Sequence, residues 1–395
     1  MYCIKEKWSK IREYIFLVLL AFEILIRLFD HSTVGIKHYA IGFPLISLEL
    51  FWIPVMVGIL YVADLFFNGG IIKNIRKLIF DGVIGVFFVI ASYTSTNFHL
   101  LAVGVFLICS DKASMRNISK VIAASLLAGT VVIAVLSQVG LAEDIMVYRF
   151  NRVAHSLGFP HYAFPARQLL FAWCAYLYAK TKKESWPMLI LQLGLIYLIY
   201  YFTTQRLTVI VFVAVWIMYI VFVKYELINI SSLFIKLCSL IGFAVAGAGS
   251  LIITYLYDPA VMWMEKLDTL LNGRLNVGNL AFDRYKIALF GPNPIIAPEN
   301  AEGYFYMDCG YLEVIINYGL IIFIITTVLY TIIHLYSCCK KDNMLFVWLT
   351  AIMVYTVVDC VWLDMTGAAT ALILFGAILS EIKKENSKLF LRKQK

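Results

Sequence analysis

LTVIVFVAVWIMYIVFVK, residues 207–224, carries no charge before its final lysine and follows directly on Arg206. In hydrocarbon every backbone amide needs a partner within the protein, so an unbroken apolar run of this length crosses as a helix, rising about 1.5 Å per residue through roughly 30 Å. A membrane β-barrel would alternate in polarity, and this run does not. The rest of the chain reads the same way: of 395 residues, 62% are hydrophobic and 15% charged, with a mean hydropathy of +0.84, far outside the range of water-soluble domains.

Working outward from 207–224, comparable runs lie near 13–30, 43–67, 77–94, 97–111, 119–140, 161–180, 187–203, 233–254, 310–337, 344–362 and 365–382. The expectation is an all-α polytopic membrane protein of about twelve transmembrane helices, with 1–395 as a single integral membrane domain. The pair within 77–111 is short and joined by the polar stretch Ser92 to Asn97, which also fits a re-entrant hairpin. The first run starts only after Arg12 and no small-residue cleavage site follows it, so it reads as a retained span, not a signal peptide.

Charge distribution orients the chain. With the N-terminus inside, 23 Lys and Arg residues fall on the cytoplasmic side and eight on the other, leaving Arg27 and Arg167 within spans. Both termini are therefore expected in the cytoplasm. The formal charge of +8 punctuates apolar runs and forms no block, which argues against nucleic acid as a partner. The eight cysteines are scattered, mostly in apolar runs or at their ends, and do not read as a disulfide or metal framework.

Two outer connections are long, 141–160 and 255–309, and function is expected there. The second, a large loop capping the outer face, opens with Trp263, Leu267, Leu270 and Leu271 at helical spacing, the pattern of a helix lying on a membrane surface. It then reaches GPNPIIAPEN, 291–300, where proline and glycine break helices. Six of the eight outer basic residues lie in these two loops. A basic residue kept outside opposes the topological bias, and guanidinium groups grip phosphate oxygens in pairs. Arg149, Arg152, Arg274 and Arg284, with Arg206 at a span end, are candidates to line an electropositive cleft for a pyrophosphate-bearing lipid. The competing reading is that they anchor to headgroups or pair with Glu143, Asp144, Asp268 and Asp283.

RVAHSLGFPHYAFPARQ, 152–168, crowds two histidines, two prolines and two arginines into the entry of a span. His155 and His161 are candidate bases at neutral pH, against the plainer role of interfacial hydrogen bonding. Arg167 lies about two turns deeper, where a charge needs a partner or a wet cavity. Glu23 and Arg27 share a face of the first span and are placed to pair. Glu49, Asp64, Asp81, Asp359 and Asp364 lie in or beside apolar runs, placed for proton relay or for facing a cavity. No G-x-x-x-x-G-K-[ST] loop and no D-x-D pair occurs, which disfavours nucleotide hydrolysis and a metal-bound sugar-nucleotide donor.

At these residues the chain resembles the Wzy-type polysaccharide polymerases, the O-antigen and capsule repeat-unit polymerases that share a multi-span architecture with O-antigen ligases. RVAHSLGFPHYAFP, 152–165, is similar to that family's arginine followed by a His-Pro-Asn segment, although Tyr162 and Ala163 stand where Pro-Asn is usual. TTQRL, 203–207, resembles its mid-chain arginine, and GRLNVGNLAFDRYKIALFG, 273–291, its arginine-to-glycine loop motif. YMDCGYLEVIINYGL, 306–320, resembles its Asp-Asn-x-Tyr segment, with Cys309 in place of Asn. The resemblance implies a GT-C-like glycosyltransferase that joins undecaprenyl-pyrophosphate-linked oligosaccharide units at the outer face of a bacterial cytoplasmic membrane. It implies catalytic roles for His155, Arg274 and Asp308, and substrate binding by Arg149, Arg152, His161, Arg167, Arg206, Arg284 and Tyr311. It implies no metal or other cofactor, and a chain-length regulator and a flippase as partners. A ligase moving finished glycan, or a transporter of the same lipid-linked substrate, are the alternative readings.

Overall fold

The structure is a computed structural model that describes residues 2–37, 48–67, 75–149, 151–292 and 307–393, and it is built almost entirely from helices. In chain order these are α1 (Tyr2–Asp30), α2 (Thr33–Lys37), a π-helical turn (Leu48–Trp52) leading into α3 (Ile53–Phe67), α4 (Ile75–Ser95), α5 (His99–Cys109) and α6 (Met115–Gln138). A two-stranded hairpin follows, β1 (Met146–Arg149) and β2 (Arg152–His155). Then come α7 (Ala163–Ala179), α8 (Trp186–Thr203), α9 (Arg206–Met218, extended by a π-helical stretch Tyr219–Lys224) and α10 (Leu233–Tyr255). The long loop contributes α11 (Met262–Leu270) and α12 (Arg274–Arg284), and the chain finishes with α13 (Gly310–Asn317), α14 (Leu320–Lys340), α15 (Asn343–Tyr355), α16 (Ala369–Leu372) and α17 (Leu374–Lys393).

Among the described residues, seven helices are long and apolar enough to cross a membrane: Leu50–Phe67, Lys77–Ser95, Met115–Gln138, Trp186–Thr203, Arg206–Lys224, Leu233–Tyr255 and Leu320–Lys340. Their outward faces stay apolar: on α8, Ile190, Leu191, Leu195 and Leu198 are each about half exposed or more. That surface suits lipid and would be a liability in water. The other five expected spans fall on α1, α5, α7, α15 and α17, which are shorter or carry charge. At 11 residues, α5 is roughly 16 Å long and too short to span the hydrocarbon unaided. It is buried along most of its length instead.

Three expected spans differ in detail. The span near 310–337 is broken at Tyr318 and Gly319, where Gly319 adopts φ +89° and the amides of Leu320 and Ile321 donate to the carbonyls of Ala288 and Leu289 at 2.9 and 3.2 Å. Gly291 lies so close to the Asn317 carbonyl that a Cβ there would overlap it. The span near 344–362 ends as a helix at Tyr355, and the one near 365–382 becomes helical only at Ala369. Residues 43–47 of the second span, Glu49's side chain, and 293–300 of the proline-rich segment lie outside the described residues. The expected surface helix is α11, with Met262, Trp263 and Leu270 exposed.

Hydrogen bonds identify two ends of the bundle. At one, Arg116 donates to the Lys180 carbonyl (3.0 Å), Lys183 pairs with Glu226 (2.6 Å), and Ser231 donates to the Cys338 carbonyl (3.0 Å). Lys112, Lys182, Lys341 and Lys384 join them around a cavity of about 880 Å³, so basic residues distant in sequence share this end. At the other end Thr33 and Gly158 bond at 2.9 Å, and α12 packs on α10 and α13 through Ala281, Leu312, Ile315 and Ile316. Asn279 tightens that join by donating to the carbonyls of Thr254 and Tyr255, the last turn of α10.

Candidate functional site

Three segments at the hairpin end each present an arginine. The first is the hairpin, paired Met146↔His155 to Arg149↔Arg152 around a two-residue turn in which Asn151 takes φ +61°. Arg149 bonds the hydroxyl of the buried Tyr162 and lies over its ring, 4.8 Å from the centroid. The second is Arg206, the first residue of α9, which follows the left-handed Thr204 (φ +51°). The third is Arg274, the first residue of α12, after Asn272 and Gly273 at φ +58° and +81°. Asp268 fixes that corner by accepting the amides of Leu275 (2.8 Å) and Asn276 (3.2 Å) and the Tyr257 hydroxyl (3.2 Å).

These arginines sense one another. Burial lowers the Arg149 pKa from its ordinary value, and the charges of Arg206 and Arg274 lower it further. Three like charges so close repel, and a polyanion between them would relieve the repulsion. Arg274 Nε stands 3.0 Å from Asp308 Oδ2, while its Nη1 is buried without a hydrogen-bond partner. A buried donor of that kind is costly unless something accepts from it. Burial raises the Asp308 carboxyl above its ordinary value against the pull of Arg274, and Asp359 raises it further. His161, its ring tilted against that of Tyr162 with centroids 4.0 Å apart, keeps an exposed edge; burial by the surrounding protein, with Arg149, Arg167 and Arg274 nearby and only Asp359 opposing, lowers its pKa to about 4. At neutral pH it is an uncharged imidazole.

Beneath these groups runs a buried polar network. Arg167, 3% exposed, pairs with Asp359 (3.2 Å) and Asp364 (3.4 Å) and lies 4.3 Å over the Phe164 ring. Tyr355 donates to the second oxygen of Asp359 (2.7 Å) and meets Thr208 at 2.8 Å. Asp364 accepts from Thr366 N (2.9 Å) and Oγ1 (3.0 Å), with Arg27 and His31 each 3.9 Å away. Arg27 also meets Asp30 (3.4 Å) and His99. The deep charge at Arg167 thus has the partners it needs, supplied by two carboxylates near the chain's C-terminal end.

The remaining candidates separate. His155 bonds Asp144 through Nδ1 at 2.6 Å, and Asp144 also accepts the Leu157 amide (2.9 Å), so the pair braces the hairpin's return. Alternation along β2 puts His155 on the face opposite Arg149 and Arg152, which corrects its expected place beside them. Arg152 is exposed at the hairpin tip. Arg284 is exposed at the far end of α12, about 15 Å along the helix from Arg274, and so stands apart from it. Tyr311 is fully buried: its hydroxyl donates to the Met353 carbonyl (3.1 Å) and its ring meets Trp362 at 4.6 Å, so it is core and not a substrate contact.

Sequence reasoning named Asp359 and Asp364 only as carboxylates in or beside apolar runs, and gave no role to Tyr162, Tyr355 or Thr208. Their signal lies in tertiary pairing, which spacing does not carry. Among the described residues no group of three or more His, Cys, Asp or Glu is arranged to hold a metal. No family model, curated protein or solved structure matches the chain.

Proposed function

We propose that this chain is a polysaccharide polymerase, joining undecaprenyl-pyrophosphate-linked oligosaccharide units at the outer face of a bacterial cytoplasmic membrane. The observation that carries the reading is the convergence of Arg149, Arg206 and Arg274 beside Asp308, with the Nη1 donor of Arg274 buried and unpartnered. The guanidinium groups bind the donor's pyrophosphate and stabilise the charge that grows on it as the glycosidic C–O bond breaks. Asp308 takes the proton of the acceptor hydroxyl, whose oxygen forms the new C–O bond. Neutral His161 hydrogen-bonds the sugar or the phosphate. A flippase that delivers the units and a chain-length regulator are the expected partners by family analogy.

The test is to supply purified protein with a synthetic lipid-pyrophosphate repeat unit and no nucleotide. Oligomers are expected, and their absence with the cognate unit would count against polymerisation. Transfer to a different acceptor without chain growth would mark a ligase. A transporter reading draws on one separate observation, buried charges toward the opposite end of the bundle: Arg12 with Asp111 (2.7 Å), and Lys77 with Asp111 (2.9 Å) and Asp81 (3.2 Å). Movement of a fluorescent lipid-linked unit between vesicle leaflets, with no oligomer formed, would favour it.

A further inference from the structure

Away from the arginines, a lateral groove of about 520 Å³ runs between α6, α7 and α8, with Phe212 of α9 at its back. Small residues, Ala124 and Ala172 among them, open it, and apolar side chains make up nearly all of its wall. Two polar groups interrupt that wall. Gln192 is 6% exposed with its Oε1 unpartnered, and the indole Nε1–H of Trp173 is likewise buried without a partner. At the mouth stands Lys120, exposed and without an ion-pair partner among the described residues.

The three groups lie in one layer. Arg116 bonded to the Lys180 carbonyl sets the start of α6 level with the end of α7, the lysine-rich end of the bundle. Counting at about 1.5 Å per residue, Lys120 stands roughly 6 Å above that level, Gln192 roughly 9 Å and Trp173 roughly 10 Å. A hydrocarbon chain alone would leave the amide and the indole unsatisfied. A molecule with an anionic head, polar linkages just below it and an apolar tail would satisfy the lysine and the indole, and the amide too once it is turned so that its NH2 group donates.

We propose that this groove binds one anionic glycerophospholipid of the leaflet at the lysine-rich end. Its phosphate rests on Lys120, and an ester carbonyl accepts from Trp173. The Gln192 amide, whose terminal torsion turns easily, bonds the second ester, and an acyl chain fills the alanine-floored channel. The site is independent of the proposed polymerase reaction.

The test uses the full chain in nanodiscs of phosphatidylcholine doped with phosphatidylglycerol, with retained lipid counted by native mass spectrometry. One tightly held phosphatidylglycerol is expected, retained about five-fold less well by Lys120→Gln, a surface change that leaves folding intact. Phosphatidylglycerol with a brominated chain should quench Trp173, read as the difference between the protein and its Trp173→Phe variant, and Gln192→Leu should weaken that quenching. Equal retention of phosphatidylcholine, or no effect of Lys120→Gln, would overturn the proposal. So would displacement of the brominated lipid by a polyprenyl phosphate, which would assign the groove to an isoprenoid chain.

Discussion

Replacing Arg167 and Arg274 by Met should have opposite consequences, because their surroundings differ. Arg167 is 4% exposed at its side chain and faces two carboxylates, Asp359 and Asp364, each 12% exposed. Arg167→Met leaves Asp359 with only the Tyr355 hydroxyl and Asp364 with Arg27 and His31 at 3.9 Å, and removing one partner of a buried pair costs about 3–5 kcal/mol. In thermal unfolding of the detergent-solubilised protein that corresponds to roughly 5 °C or more in the midpoint. Adding Asp359→Asn should return part of the loss, since one stranded charge disappears. The Arg274–Asp308 pair is 15% and 39% exposed, so its contribution to stability is about 0–1 kcal/mol. Arg274→Met should therefore melt near the parent protein while losing affinity for pyrophosphate-bearing lipid. If Arg167→Met melts unchanged, or Arg274→Met falls as far, the division into a structural and a ligand-binding arginine is wrong.

Further outcomes follow from the same geometry. A base must be ionised to act, so polymerisation should fall as pH drops through the Asp308 pKa, which stands above the ordinary carboxylate value of 3.8; Asp308→Asn should abolish that limb of the kcat profile. For His161 the folded pKa of about 4 lies below the usual 6.5, so the unfolded chain binds more protons between them and stability should decline as pH falls across that window. His161→Gln should flatten the decline in melting curves taken from pH 7 to 4. Gly291→Ala should push the loop off the Asn317 carbonyl, and faster amide exchange at Leu320 and Ile321, whose donors bond Ala288 and Leu289, would report it.

The helices that meet lipid were legible because length and polarity decide them: 187–203, 207–224 and 233–254 correspond to α8, α9 and α10 to within about a residue. What the runs concealed was where backbone bonds leave the helix. The apolar stretch 310–337 reads as one span, and nothing local in it shows that Leu320 and Ile321 bond Ala288 and Leu289, 32 positions earlier. The hairpin was missed although MVYR and RVAH are short β-compatible segments flanking an Asn that tolerates the left-handed turn. For the site, the excess of outer arginines singled out Arg149, Arg206 and Arg274, which the fold brings within electrostatic reach of one another. It did not separate them from Arg152, Arg284 and Arg167, because selection by charge ignores where each side chain finds its partner. Tyr311 was singled out for its place just after Asp308, yet a helical turn carries it into the aromatic core with Trp362.

The most direct test is a binding titration of a short-chain polyprenyl pyrophosphate against the protein in nanodiscs, repeated for Arg149→Gln, Arg206→Gln and Arg274→Gln and for the monophosphate. If the three guanidinium groups share one ligand, each change should weaken binding on the order of ten-fold, the losses should combine non-additively, and the monophosphate should bind more weakly and lose less. Binding that is indifferent to all three substitutions, or equal for the two lipids, would contradict a common pyrophosphate site.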